Sequence, residues 1–367
     1  MRKMKLIALK DVCKINMGQS PNSSSYNDYG DGMPFFQGNA DFGERYPITR
    51  VWCNTPTKIA QAEDILISVR APIGALNYAK EECCIGRGLA AITPDRNKVS
   101  QDFIYWALKG KKAELNDKGN GSTFKAISRK ILEETMIPDI NFEQQHKCAE
   151  NLEKIYGIIQ NRRKELLALD DLIKARFVEM FGDMIINPNG WGKVLLGEAC
   201  DVRDGTHDSP KYFTEGYPLV TSKNVTGGKI DFADCSLICE EDYNKINQRS
   251  KVDMGDILMP MIGTVGNPVI VDIEAEFAIK NVALIKFREN STVINSFVKA
   301  LLESDYFDRA VISKVRGGTQ KFISLGDIRK LEICLPPIAV QEQFSDFAKQ
   351  VDKSKVAVQK ALDETQT

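Results

Sequence analysis

The strongest constraint on this chain is that it is written twice. Laid against itself, the second half repeats the order of features in the first, at offsets that grow from 187 to 198 residues as loops differ in length. LKDVCKI at 9–15 is answered by LGEACDV at 196–202, with Gly18 and Gly205 following at the same distance. Asp64-Ile65-Leu66 is answered by Asp256-Ile257-Leu258, each opening an apolar strand-like run into a glycine-bearing turn at Gly74, or at Gly263 and Gly266. GSTFKAIS at 121–128 matches GGTQKFIS at 317–324, and IPDINFEQQ at 137–145 matches LPPIAVQEQ at 335–343. Four ordered matches fit a duplicated unit with loop drift, so the chain folds as one plan used two times.

Each copy is a globular part followed by a helix. Short apolar runs punctuated by Gly, Pro, Asn and Asp read as strands and turns, with helical windows near 101–115 and 294–312. No strand-helix alternation signals a doubly wound sheet, so the fold class is α+β, two similar domains with a mostly antiparallel sheet. The domains are 1–140 and 185–337, with a central spacer helix at 141–184 and a distal one at 338–367. From Phe142 to Phe181 there is no proline and one glycine, Gly157. There Cys148, Leu152, Ile155, Ile159, Arg162, Leu166, Leu169, Ile173, Arg176 and Met180 step by the alternating 4 and 3 of a coiled coil. Val340, Phe344, Phe347, Val351, Ser354, Val358 and Ala361 step alike, so the two helices are expected to pair antiparallel. Aligned at Gln145 and Gln343, the distal helix ends opposite Leu169.

Charge enters because its average conceals its distribution. The chain carries 49 Lys plus Arg against 50 Asp plus Glu, which excludes a wholesale basic coat and a polybasic membrane anchor. Yet the window 109–130 has a net charge of +5, and so has the equivalent window 309–330. Each surrounds a polar loop, with Thr123 and Lys125 in one copy and Arg316, Thr319, Gln320 and Lys321 in the other, suited to a phosphate backbone. The opening loop of each domain is rich in side chains that read base edges or form ordinary turns. These are Gln19, Ser20, Ser23 and Tyr26 with Gln37 and Asn39 in the first copy, and Arg203, Thr206, His207 and Lys211 with Lys223 and Asn224 in the second.

Catalytic patterns are missing. His146 and His207 are the only histidines, which starves triads and imidazole-based metal sites. Nine cysteines without a C-x-x-C spacing read as free thiols of a reducing cytoplasm, and no metal site is expected. Neither a phosphate-binding P-loop nor a G-x-G-x-x-G turn occurs, and no lysine has an acidic residue two positions before it, as a nuclease motif requires. No leader and no membrane span are expected, since the apolar stretch near the N-terminus is only LIAL at 6–9.

The duplicated layout, the GQSPNS and DGTHDSP opening loops, IGRGLAAI at 85–92 with its counterpart AIKNVALI at 278–285, and the long helix after each domain resemble one family. It is the DNA-specificity subunit of type I restriction-modification systems, and the resemblance covers the whole chain. It implies a non-catalytic subunit whose two target-recognition domains each read half of a split site in double-stranded DNA. Arg87 joins the candidates for DNA contact on that ground. The resemblance also implies two docked methyltransferase subunits, which bring the S-adenosylmethionine, and a restriction endonuclease and translocase subunit. Leu152, Ile155, Ile159, Leu166, Leu169, Ile173, Phe344, Phe347 and Val351 are the docking candidates, and no cofactor is expected on this chain. The rivals are a stand-alone DNA methyltransferase or nuclease, which would itself bind S-adenosylmethionine or cut, and a coiled-coil scaffold that does not touch DNA.

Overall fold

A computed structural model describes residues 5–120, 125–262, 265–274, 276–314 and 322–366. Thr123, Gly263, Arg316, Thr319, Gln320 and Lys321 lie outside the described residues. The chain divides into two compact units, Met1–Ile158 and Ile159–Thr367.

In the first unit, Cys13–Met17, Leu89–Pro94, Ile65–Ser68 and Leu76–Tyr78 form a four-stranded antiparallel sheet in that order. In the second, Asp201–Asp204, Val282–Lys286, Ile257–Pro260 and Val269–Ile270 repeat it strand for strand. The apolar runs noted above are the inner strands. Ile65, Leu66 and Ile67 are all fully buried because alternate residues feed opposite faces: Ile65 and Ile67 pack into one core and Leu66 into another. Ile257 and Met259, with Leu258 opposite, divide in the same way.

A second sheet also recurs. Met33–Phe36 pairs antiparallel with Trp52–Cys53 and parallel with Cys83–Ile85, just as Tyr217–Val220 does with Ser236–Ile238 and Ala278–Ile279. At the edge of this sheet the units part. The first places a short strand, Ile59–Ala60, against Cys83 and Cys84, whereas the second covers the edge with a helix, Glu240–Ser250.

The two long helices are Phe142–Phe181 and Ile338–Gln366. A buried glutamine fixes where each joins its domain. Gln145 Oε1 accepts the Ser100 backbone N–H at 2.7 Å at the start of helix Gln101–Gly110, and its amide donates to the Ile140 carbonyl at 2.8 Å. Its structural counterpart is Gln341. Gln341 Oε1 accepts the Ile294 N–H at 3.0 Å at the start of helix Asn295–Leu302, while its amide donates to Thr292 and Pro336 carbonyls at 3.0 and 2.9 Å. The alignment of Gln145 with Gln343 is therefore corrected by two residues: Gln343 is exposed and Gln341 fully buried.

Within the second unit the helices run antiparallel. Arg162 hydrogen-bonds the Ala361 carbonyl and Thr365, Lys355 pairs with Asp170 at 2.6 Å, the Arg176 guanidinium lies over the Phe347 ring, and Phe177 and Phe181 meet Phe344. The expected positions on the central helix from Ile159 to Met180 are half-buried. On the distal helix one seam position shifts: Ala348 and Leu362 are buried and Lys355 half-buried, while Ser354 is exposed. The repeat of seven is kept, since Ala348, Lys355 and Leu362 stand seven apart, but this position falls one residue later than expected and brings Lys355 into the seam, where its ammonium reaches Asp170. In the first unit the helix instead turns Gln145 and Ala149 inward, with Tyr156 packed against the domain core, and leaves Leu152 and Ile155 exposed. Among the described residues no helix is long and apolar enough to cross a membrane.

Candidate functional site

The opening loop of each domain is fixed at one end of the sheets by a glycine. In the first unit Gly18 N–H donates to the Leu89 carbonyl at 2.9 Å and Gln19 N–H to Ile85 at 3.0 Å. In the second, Gly205 N–H donates to Val282 at 3.2 Å and Thr206 N–H to Ile279 at 2.9 Å. These bonds make Ile85 and Ile279 equivalent and leave Gly88 without a counterpart. IGRGLAAI at 85–92 thus matches the stretch starting at Ile279, one residue later than the ungapped comparison places it, so Arg87 corresponds to Asn281.

On this scaffold the first unit brings together Gln19, Ser20, Gln37, Asn39 and Arg87. Ser20 Oγ donates to Gln37 Oε1 at 3.0 Å and accepts the Arg87 backbone N–H at 3.2 Å. The side chains of Gln19, Gln37 and Arg87 are exposed, with Asn39 half-exposed beside them. Ser23 is exposed on the adjoining turn, whereas Tyr26 stacks on Phe35 at 4.6 Å and donates to the Pro21 carbonyl, bracing the loop from below.

The second unit gathers Thr206, His207, Lys211 and Lys223 in the same region and adds Asn281 and Lys280. His207, Lys211 and Lys223 are exposed, and Lys280 donates to Ser209 at 2.6 Å. Asn224 is buried and holds its own turn, accepting the Thr221 N–H and hydroxyl and donating to the Asp231 carbonyl. Arg203 donates to Asp201 and to the Arg249 carbonyl. Arg249, on the Glu240–Ser250 helix, donates to Asp204 Oδ1 at 2.7 Å and the Gly205 carbonyl at 3.0 Å, clamping the root of the loop. Sequence reading missed this helix. Its signals were three acids in the first turn and an arginine in the last, a pattern that favours a helix dipole.

The charge windows also look different in space. Lys111 and Lys118 share Glu114, and Arg129 and Lys130 pair with Glu133 and Glu134, which lie just past the window. Lys109 sits 3.6 Å from the Tyr156 ring centroid and over Trp106, where burial pulls its pKa down. Partners one helical turn away cancel much of the linear count. Lys125 remains exposed.

His207 is the most constrained of these side chains. Its Nδ1 lies 2.7 Å from Asn281 Oδ1 and its Nε2 2.8 Å from Asp204 Oδ2. Two acceptors favour the doubly protonated ring, so hydrogen bonds to Asn281 and then Asp204 hold its pKa above 6.5, with Arg249 opposing. The stabilisation from this pairing is fully present below the unfolded-state value and is lost as pH rises through the folded one. With only two histidines, an NMR titration assigns His207 directly. It should titrate above 6.5, and Asp204→Asn should lower it; a folded-state value at or below 6.5 would contradict the two-acceptor geometry.

Comparison with known proteins follows the same duplication. The model of the type I restriction modification DNA specificity domain matches residues 1–169 and again 188–365. A putative type I restriction enzyme MjaX specificity subunit of Methanocaldococcus jannaschii is 47% identical over 152 residues, 41% of this chain and 36% of that protein. The chain therefore spans about a third of that relative's length. The EcoBI specificity subunit of Escherichia coli is 21% identical, with 95% of this chain and 80% of that one covered. The crystal structure of the type I restriction-modification S subunit from M. genitalium shares the fold, with a TM-score of 0.57, 16% identity, and 100% and 94% of the two chains covered. With the domain matched twice and nearly every residue accounted for, the chain belongs to the type I restriction-modification specificity subunit family.

Proposed function

We propose that this chain is the DNA-reading subunit of a type I restriction-modification enzyme, in which each unit reads one half of a bipartite site. One observation carries the reading: a shared backbone scaffold presents different side chains in the two units, with Gln19, Ser20 and Arg87 on one and Thr206, His207 and Asn281 on the other. A frame kept constant while its polar tips vary is what two different base sequences require. The helices act as an antiparallel coiled coil that fixes the half-site spacing. Approach to one face of the duplex puts half-site centres about 10 base pairs apart.

The chain supplies the address and the chemistry belongs to its partners. Two methyltransferase subunits dock on the helices, with Leu152, Ile155, Ile159, Leu166, Leu169, Ile173, Phe344, Phe347 and Val351 as the apolar candidates, and supply S-adenosylmethionine. A restriction endonuclease and translocase subunit completes the assembly. Lys125, with Thr123, Arg316, Thr319, Gln320 and Lys321 of the polar loops, is assigned to phosphate contacts. Methylome sequencing of cells carrying this subunit and its methyltransferase tests the reading. Replacing residues 1–140 with the domain of another family member should change one half of the methylated motif. Change in both halves would refute modular recognition.

A further inference from the structure

The Glu240–Ser250 helix gives the second unit a surface that the first lacks. Its inner face is Tyr243, Ile246, Asn247 and Ser250. Tyr243 stacks on Tyr217 at 4.0 Å, Asn247 donates to the Phe277 carbonyl at 3.2 Å, and Ser250 is buried. With that face committed, helical spacing turns Lys245, Gln248 and Arg249 outward together, and all three are exposed.

Opposite them stand Arg203 and Arg329. The five residues line one open cleft of about 680 Å³ with Asp204 and Leu325. Four of its side chains are cationic and one is acidic. Arg249 leans on Asp204 and Arg203 on Asp201, while Arg329 donates to the neutral Val202 carbonyl at 2.6 Å and so keeps its charge uncompensated. Lys245 has no ion-pair partner among the described residues.

The first unit has an open cleft of about 530 Å³ beside its own short helix, but there Lys10, Lys14, Lys98 and Arg129 are balanced by Asp11, Asp95 and Glu133. Asn16 occupies the place of Arg203 and reaches the Ile59 carbonyl at 2.9 Å, just as Arg203 reaches the Arg249 carbonyl at 2.9 Å. Glu133 occupies the place of Arg329, since each ends the short helix capped by Ser128 or Ser324. A short strand stands where the helix would be.

We infer that this cleft is a phosphodiester site, through which the second unit grips the DNA backbone flanking its half-site in a way the first unit does not. The inference rests on the DNA-reading proposal above. A cleft walled by three guanidinium groups and an ammonium, open to solvent and beside the root of the recognition loop, fits a chain of phosphates; it offers no base-reading pattern. The grip is therefore independent of sequence.

The test uses the full 367-residue chain and a fluorescent random-sequence duplex of about 30 base pairs, with binding read by anisotropy between about 50 and 200 mM salt. Lys245→Ala should lower the slope of log affinity against log salt by about one, and Gln248→Lys, which adds a cation to the same face, should raise it by about one. Both positions are exposed, so thermal melting should match the parent chain. If the parent shows a salt slope and neither variant moves it, the cleft is not a phosphate site while the DNA-reading proposal stands. If the parent chain shows no salt-dependent binding to the duplex, both fall together.

Discussion

Gly205→Ala will erase one half of the recognised DNA motif and leave the other half intact, and Gly18→Ala will do the converse. A Cβ on Gly205 would lie 2.1 Å from the Ile279 carbonyl oxygen and 2.4 Å from its carbon; on Gly18 it would lie 2.1 Å from the Gly86 oxygen and 2.8 Å from two others. These are backbone atoms, so no rotamer relieves the overlap. Nor can the loop move freely, because Gly205 and Thr206 both donate to the strands beneath, as do Gly18 and Gln19. Relief needs a shift on the order of 1 Å, enough to disorder contacts that depend on placement. The stability cost is smaller, about 1–3 kcal/mol for an overpacked site, so the unit stays folded while its readers are misplaced. Methylome sequencing reads the outcome: one specified half-site should become degenerate. A fully specified motif in the Gly205→Ala strain would remove the recognition loop from its assigned role, and loss of both halves in a folded chain would remove the independence of the units.

The pairing of Gly18 with Gly205 was legible in the letters because short strands and tight turns leave little room for insertion between matched motifs. Where helices begin, letters mislead. EQQ and QEQ offer two alignments at equal cost, and only burial separates Gln341, inside and triply hydrogen-bonded, from Gln343, outside. One position of the distal seam, Ser354, was misplaced for a related reason: it satisfies a heptad in the alphabet, but Lys355 packs better once its ammonium has Asp170 to meet. The candidate site was legible as a region and less so residue by residue. Asn224 and Gln37 are both amides next to a strand end, yet one faces a turn interior and the other solvent. Arg249 was invisible for want of any repeat partner, since the helix that carries it belongs to one copy alone.

That one-sidedness extends to the core, and Phe181→Ala should expose it as the largest stability loss in the molecule. Phe181 is 1% exposed, with ring centroids 4.9 Å from Phe177, 4.9 Å from Phe297, 5.4 Å from Phe344 and 6.0 Å from Trp191. It joins the end of the central helix to helix Asn295–Leu302, the distal helix and the loop before the second domain. Truncating a buried Phe costs about 3–5 kcal/mol, a large share of the roughly 5–15 kcal/mol that holds a domain. The first unit does not repeat this cluster at the equivalent place: Phe103 stands for Phe297, but exposed Cys148 stands for Phe344, and its aromatic contacts run instead through Tyr78, Tyr105, Trp106 and Tyr156. Unfolding should therefore separate. Trp191 lies against Phe181, while Trp52 and Trp106 lie in the first unit, so single-tryptophan variants report each unit alone. In Phe181→Ala the Trp191 transition should fall by roughly 6–20 °C with the Trp52 and Trp106 transitions unmoved. A loss under about 1 kcal/mol would show that the cluster does not anchor the distal helix. An equal loss in both units would show that they unfold as one, and independent half-site recognition would then need a rigid frame to explain it.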